Sequence, residues 1–389
     1  MLRSLYSGIS GLRSHQTMLD VTGNNIANVN TTGFKSSAVQ FQDTLSQLIK
    51  GATGPQAQAG GSNPAQIGLG VQVAGISTNF AQGSAQATGR PTDLMISGDG
   101  FFVVQQGGEN LYTRAGSFDF DASGRLVAPG GALVMGWTAD NGAISTGSAL
   151  GPITLDKNAI APAVATTTTT VTGNLPSDAA DGTTLSRDIQ VYDATGTARQ
   201  LSLTFTKTAA GWDVAGADGA NTATGSLTFT DGALTSGSSL TLGGVAVDLS
   251  GVSGFADLST VTISGQDGRE PGTLQSYSLS SDGTLVGSFS NGATEPMARI
   301  ALANFANPGG LQKAGGSTYR ASIDSGTPVL GTAGTNGLGT LQSGSLEMSN
   351  VDLSQEFTNL IVAQRGFQAN ARIITTSDQV LQELVQLKQ

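Results

Sequence analysis

Apolar residues at the start of the chain fall at Leu2, Leu5, Ile9, Leu12 and Leu19, three and four positions apart, with Gln16 in the vacant place. That spacing predicts a helix whose apolar seam meets another helix. A second seam closes the chain: Leu353, Phe357, Leu360, Gln364, Phe367, Ala371, Ile374, Leu381, Leu384 and Leu387, over about five heptads. Both ends are therefore expected to be helical. Between them the period changes to short alternating runs, such as 187–191, 201–205 and 273–279, divided by Asp-Gly and Asn-Gly pairs. Asp99-Gly100, Asp181-Gly182, Asp218-Gly219, Asp231-Gly232, Asp267-Gly268 and Asp282-Gly283, with Asn141-Gly142, Asn291-Gly292 and Asn336-Gly337, are hairpin signals.

The expected fold class is α+β: discontinuous terminal helices forming a coiled-coil core, a Gly-rich connector and two all-β outer modules. Segments 163–170, rich in Thr, and 265–272, with Asp-Gly, Arg-Glu and Pro-Gly, read as crossings between modules. The segment between them then reads as an insertion. Residues 51–64, rich in Gly, Ala and Gln and without periodicity, read as a long loop or extended connector. The resulting division is 1–30 with 350–389 for the helical core, 31–90 with 335–349 for the connector, 91–160 with 268–334 for an inner β domain, and 161–267 for an inserted outer β domain.

Composition narrows the function. A chain of 389 residues exceeds one ordinary domain, and 55 glycines with 5% aromatics imply thin cores and many turns. Its net charge of -10 would repel a phosphate backbone, which argues against nucleic acid as a partner. The absence of cysteine rules out disulfides and thiolate metal sites. No continuous apolar stretch resembles a secretory signal or a membrane span, so classical export on a cleaved signal peptide is disfavoured and no membrane insertion is expected.

Leu360-Ile361-Val362, Ile373-Ile374, Val380-Leu381 and Leu384-Val385 put apolar side chains on several sides of the second helix. A single partner helix would leave some uncovered. They could pack on the chain's own β body, but a stalk of roughly 35 residues is about 50 Å long and would overhang a small module. Burial by copies of the chain is the other solution. Gln364, Gln368, Gln379, Gln382, Gln386 and Gln389 give this helix an uncharged polar face suited to a lumen, although Gln is also an ordinary surface helix former.

Catalytic chemistry is not signalled. The single histidine, His15, lies among Ser14, Gln16 and Thr17 and reads as a helix-surface residue without triad or metal partners. Neither a phosphate-binding lysine loop nor a dinucleotide fingerprint is present. Residues 119–124 mimic the first half of a calcium loop, but the twelfth position is Gly130 rather than Glu, so a hairpin turn is expected there. No catalytic, cofactor-binding or metal residue, and no cofactor, is assigned.

Four blocks resemble the rod, hook and hook-associated proteins of the bacterial flagellar axis. The first is Asn24-Asn25-Ile26-Ala27-Asn28-Val29-Asn30-Thr31-Thr32-Gly33-Phe34-Lys35. Residues 93–102 form the second, and 112–118 with 124–127 the third. The last comprises 349–354, 362–371, where Phe367 replaces a frequent Tyr, and 375–378. Asn24, Asn25, Asn28, Gly33 and Phe34 read physically as a helix stop and turn, with Gly33 supplying backbone freedom and Phe34 an anchor.

The resemblance implies a tube-forming subunit whose polymerisation core holds Leu2, Leu5, Ile9, Leu12, Leu19, Phe357, Leu360, Phe367, Ile374, Leu381 and Leu384. Length and the inserted segment favour the hook over the rod within that family. Its implied partners are copies of itself, the hook cap, the distal rod, the hook-filament junction protein and the flagellar type III export apparatus, at an extracellular location. Two other readings stay open: a rod protein with an unusual insertion, and a secreted β-rich adhesin.

Overall fold

A computed structural model describes residues 2–55, 60–140 and 142–386. The chain is mostly β with a helix at each end: α1 (Leu2–Ala27) and α2 (Leu353–Gln386). Among the described residues no helix is long and apolar enough to cross a membrane. The chain divides into two compact units, the first Met1–Leu155, Ser278–Leu285 and Pro296–Gln389, the second Asp156–Tyr277 and Val286–Glu295.

In the first unit α1 ends where its sequence offers the backbone competing partners. Asn28 Nδ2 bonds the Asn24 carbonyl at 2.9 Å, and Thr31 Oγ1 bonds Asn28 Oδ1 at 3.1 Å. Gly33 then turns the chain with a φ of +64°, so close to the Arg114–Ala115 backbone that a Cβ would lie 2.4 Å from Ala115 N. Only glycine fits both demands.

The chain next runs out and back as an antiparallel ribbon, Ser37–Asp43 pairing Val71–Thr78 and Ser46–Lys50 pairing Ala65–Gly68. At the far end of this ribbon Thr53 bridges Ser62; residues 56–59 of the Gly-rich segment lie outside the described residues. Residues 31–90 thus include a paired β-ribbon, not only loop. The rest of the unit is a β domain whose core gathers Phe101, Tyr112, Trp137, Phe305 and Tyr319, with Phe101 edge to face on Phe305 and Tyr319, and Tyr112 on Phe305 at a centroid distance of 4.7 Å.

Residues 119–124 form a tight turn: Asp121 accepts from the backbone N–H groups of Ser123 and Arg125 and pairs with the Arg125 guanidinium at 2.7 Å. Its carboxylate is engaged within the turn, as the hairpin reading expects.

The second unit is a sandwich. A meander of Thr184–Tyr192, Ala198–Thr208, Gly211–Asp218, Asn221–Thr230 and Ala233–Ser236 makes one sheet, and Ser239–Leu242, Val245–Ser253, Thr168–Asn174 and Thr262–Gln266 make the other. Trp212, Phe205 and Leu203 share a core with Val247, Leu249 and Val171. At Asp231-Gly232 both φ values are positive, 52° and 79°, the type I′ geometry those residues favour. The last three residues of the Thr-rich segment, 168–170, belong to a strand: Thr168–Asn174 is interior and paired on both sides, because alternating β-branched residues with Thr169 and Val171 buried suit a pleated sheet.

Candidate assembly core

The helices α1 and α2 run antiparallel, Gly8 facing Ile374, Gly11 facing Asn370, and His15 facing Gly366. Their closest approach is made by small residues. A Cβ on Gly11 would sit 2.8 Å from the Asn370 amide, and one on Gly366 would sit 2.5 Å from the His15 ring. Ser14, Thr22 and Ala363 are buried along the same seam. Glycine inside a helix costs about 1 kcal/mol against alanine, so close packing must compensate here.

The seam therefore differs from the one the apolar spacing suggests. Leu5, Ile9, Leu12, Leu19, Leu360, Phe367, Ile374 and Leu381 are only half-buried beside it, and Phe357 is 51% exposed. Leu2 and Leu384 lie in the helices, but their side chains, like all of Leu387 and Gln389, fall outside the described residues. His15 is half-buried in the seam, 6.1 Å from the Phe41 ring, and not a surface residue. Spacing located the helices; it could not distinguish the stripe that closes the pair from one left for other partners.

A buried polar junction fixes the base of this helix pair. Asn25 donates from Nδ2 to Ser37 O at 2.8 Å and to Glu356 Oε1 at 3.0 Å, and accepts from Ser37 N at 3.0 Å. Asp352 caps α2, its Oδ1 accepting from Ser354 N at 2.8 Å and Gln355 N at 3.3 Å. Asn350 reaches across to Ser36 N and the carbonyls of Asn79 and Ala81. The first and last signature blocks thereby meet.

Beside them Lys35 Nζ lies 2.5 Å from Glu347 Oε1 and 2.8 Å from Ala81 O. Glu347 also receives Gly83 N at 2.9 Å and faces Arg114 Nη1 at 3.5 Å. Burial pushes the Lys35 ammonium below its usual pKa, against the pull of Glu347, and pushes the Arg114 guanidinium down likewise. Phe34 packs half-buried under Lys313, whose Nζ is 5.1 Å from its ring. Of these groups Glu347, Glu356 and Ser37 were not singled out by sequence, and Arg114 only as part of the third block; no periodicity marks a buried ion pair.

The rest of the helix pair is open to partners. Val362, Ile373 and Val380 are exposed and fall within about 20° of one another around α2 at 3.6 residues per turn. Phe357 and Ile361 are exposed on another side, which continues as Gln364, Gln368, Gln379, Gln382 and Gln386 within about 60°. Leu45, Leu48, Ile49 and Ile67 stand out from the ribbon. Patches of this kind mark interaction surfaces.

A model of the flagella basal body rod protein matches residues 5–35, one of the flagellar hook protein FlgE/F/G D1 domain matches 95–173, and one of the flagellar basal body rod FlgEFG protein C-terminal region matches 342–387. The flagellar hook protein FlgE of Borreliella burgdorferi is 40% identical over 442 aligned positions, covering 100% of each chain. The chain belongs to the flagellar hook protein FlgE family. The FlgE of Treponema pallidum is 36% identical, again over 100% of each chain, and the flagellar basal-body rod protein FlgG of Bacillus subtilis 35% over 100% of each. The first and last of these segments fall on the helix pair and its junction, and the middle one runs through the β part of the first unit into Thr168–Asn174 of the second.

Proposed function

We propose that this chain is the structural subunit of the bacterial flagellar hook, polymerising into an extracellular tube. The observation that carries the reading is the apolar surface of α2, where Phe357, Ile361 and Val362 are 51%, 56% and 55% exposed beside a closed helix seam. Copies of the chain would bury it.

In this reading residues 1–30 with 350–389 line the inner layer as a coiled-coil core. Residues 31–90 with 335–349 connect outward to the inner β domain (91–160 with 268–334) and the outer β domain (161–267). The polymerisation residues are Leu2, Leu5, Ile9, Leu12, Leu19, Phe357, Leu360, Phe367, Ile374, Leu381 and Leu384, with the turn of Asn24, Asn25, Asn28, Gly33 and Phe34 holding the core to the domains. On the side of α2 that begins with Phe357 and Ile361, copies of the chain cover these two residues, and the stretch from Gln364 onward faces a channel through which exported subunits pass. Weak contacts between outer domains shorten and lengthen as the tube turns, making it a universal joint. Partners are the type III export apparatus, the hook cap, the distal rod and the hook-filament junction protein, and no catalytic role is assigned.

Phe357→Asp, Leu360→Asp and Ile374→Asp should each abolish tube formation while the β units stay folded. Normal tubes from these variants would overturn the reading. The 35% identity to a rod protein favours the distal rod as the second reading; a rod subunit would build straight tubes that do not bend.

A further inference from the structure

Two Asn-Gly pairs among the described residues sit in opposite hydrogen-bonding situations. Asn336 and Gly337 are the central residues of a type I′ turn, with φ of 51° and 77°, closed by Leu338 N donating to Thr335 O at 2.9 Å. Both are exposed, and a Cβ on Gly337 would meet nothing within 4 Å. Among the described residues neither the Asn336 amide nor the Gly337 N–H has a hydrogen-bond partner.

Asn291 is held from every side. Its Nδ2 donates to Glu270 O at 2.8 Å, and its Oδ1 accepts from Ala293 N at 3.0 Å. The following Gly292 N–H donates to Phe289 O at 3.0 Å. The side-chain amide is wedged so close to Gly272 that a Cβ there would lie 2.5 Å from it.

We propose that Asn336 is a site of spontaneous deamidation. Gly337 N forms a bond to Asn336 Cγ, the Cγ–Nδ2 bond breaks, and Nδ2 leaves as ammonia carrying the proton lost by Gly337 N. Water then opens the five-membered succinimide at either carbonyl, giving aspartate or isoaspartate. The net change consumes one water and releases one ammonia, with no oxidant, reductant or cofactor.

The conformational barrier differs between the two pairs. Asn336 must leave a left-handed conformation that is itself disfavoured for a side-chain-bearing residue, at the cost of one bond in an exposed turn. Asn291 must surrender three hydrogen bonds and its packing on Gly272. Isoaspartate would add a methylene and a negative charge to the main chain just before Leu338, which is buried, and Gly339, whose N–H donates to Asp99 O at 2.7 Å.

The test is to incubate the full chain at mildly alkaline pH in oxygen-18 water and follow both peptides by mass spectrometry. In the folded chain Asn336 should convert about tenfold faster than Asn291 or more, the ratio that loss of one to two net hydrogen bonds supplies. In denaturant the two rates should converge, and Asn336→Gln should remove the fast signal from a chain that still folds. Equal rates in the folded chain, or an Asn336 that reacts only after unfolding, would overturn the proposal.

Discussion

Lys35 Nζ and Glu347 Oε1 are 2.5 Å apart, fully shielded from solvent, and separated by 312 residues of sequence. The pair ties the end of the N-terminal signature to the approach of α2, with Ala81, Gly83 and Arg114 gathered around it. The beginning and end of the chain are thus joined by charge as well as by helix packing.

Breaking a buried pair from one side leaves an uncompensated charge and costs about 3–5 kcal/mol. Glu347→Gln should be the worse change, because Lys35 and Arg114 then stay buried together without an anion. Lys35→Met leaves Glu347 with Arg114 and the Gly83 N–H, and should cost less. Chemical denaturation should give that order, with the double variant milder than Glu347→Gln alone.

The glycine seam is testable by steric rescue. A side chain at Gly366 would run into the His15 ring, so Gly366→Val should force the helices apart and reduce hook assembly. His15→Ala removes the obstructing ring and should restore part of it in the double variant. Absence of rescue, scored by counting hooks in electron micrographs, would place the defect elsewhere.

Asp267 should give the second unit an acid-labile component. Burial pushes its carboxyl up, but Thr167 and Thr168 donate three hydrogen bonds that outweigh this and hold the pKa down to about 2. Because the folded value lies below the ordinary 3.8, the contribution is present above that pH and is lost as pH falls toward about 2. The group is near the surface, so solvent screening keeps the effect small, at most about 1 kcal/mol. Unfolding curves between neutral pH and pH 2 should show a shallower loss for Asp267→Asn.

Much of this architecture was legible in the residues. The 3–4 spacing marked both helices, Asp231-Gly232 marked a hairpin turn, and Gly33 marked the turn that follows α1. What escaped was relational. Residues 168–170, the end of the Thr-rich segment, looked like part of a crossing because Thr suits exposed turns and buried strands alike, and only the neighbours on both sides decide between them. The helix seam was assigned to leucines because they carry the larger transfer energy, whereas Gly8, Gly11 and Gly366 set how near two backbones come. The Lys35–Glu347 pair had no local signal at all, since its partners meet only after folding.

Electron microscopy of basal bodies from a strain lacking the gene, with the wild-type chain or Ile361→Asp restored, decides whether this chain builds the hook. Finished rods without hooks are expected in the deletion strain, hooks with the wild-type chain, and bare rods again with Ile361→Asp. Intact hooks in the deletion strain, or rods that are themselves missing, would contradict that role.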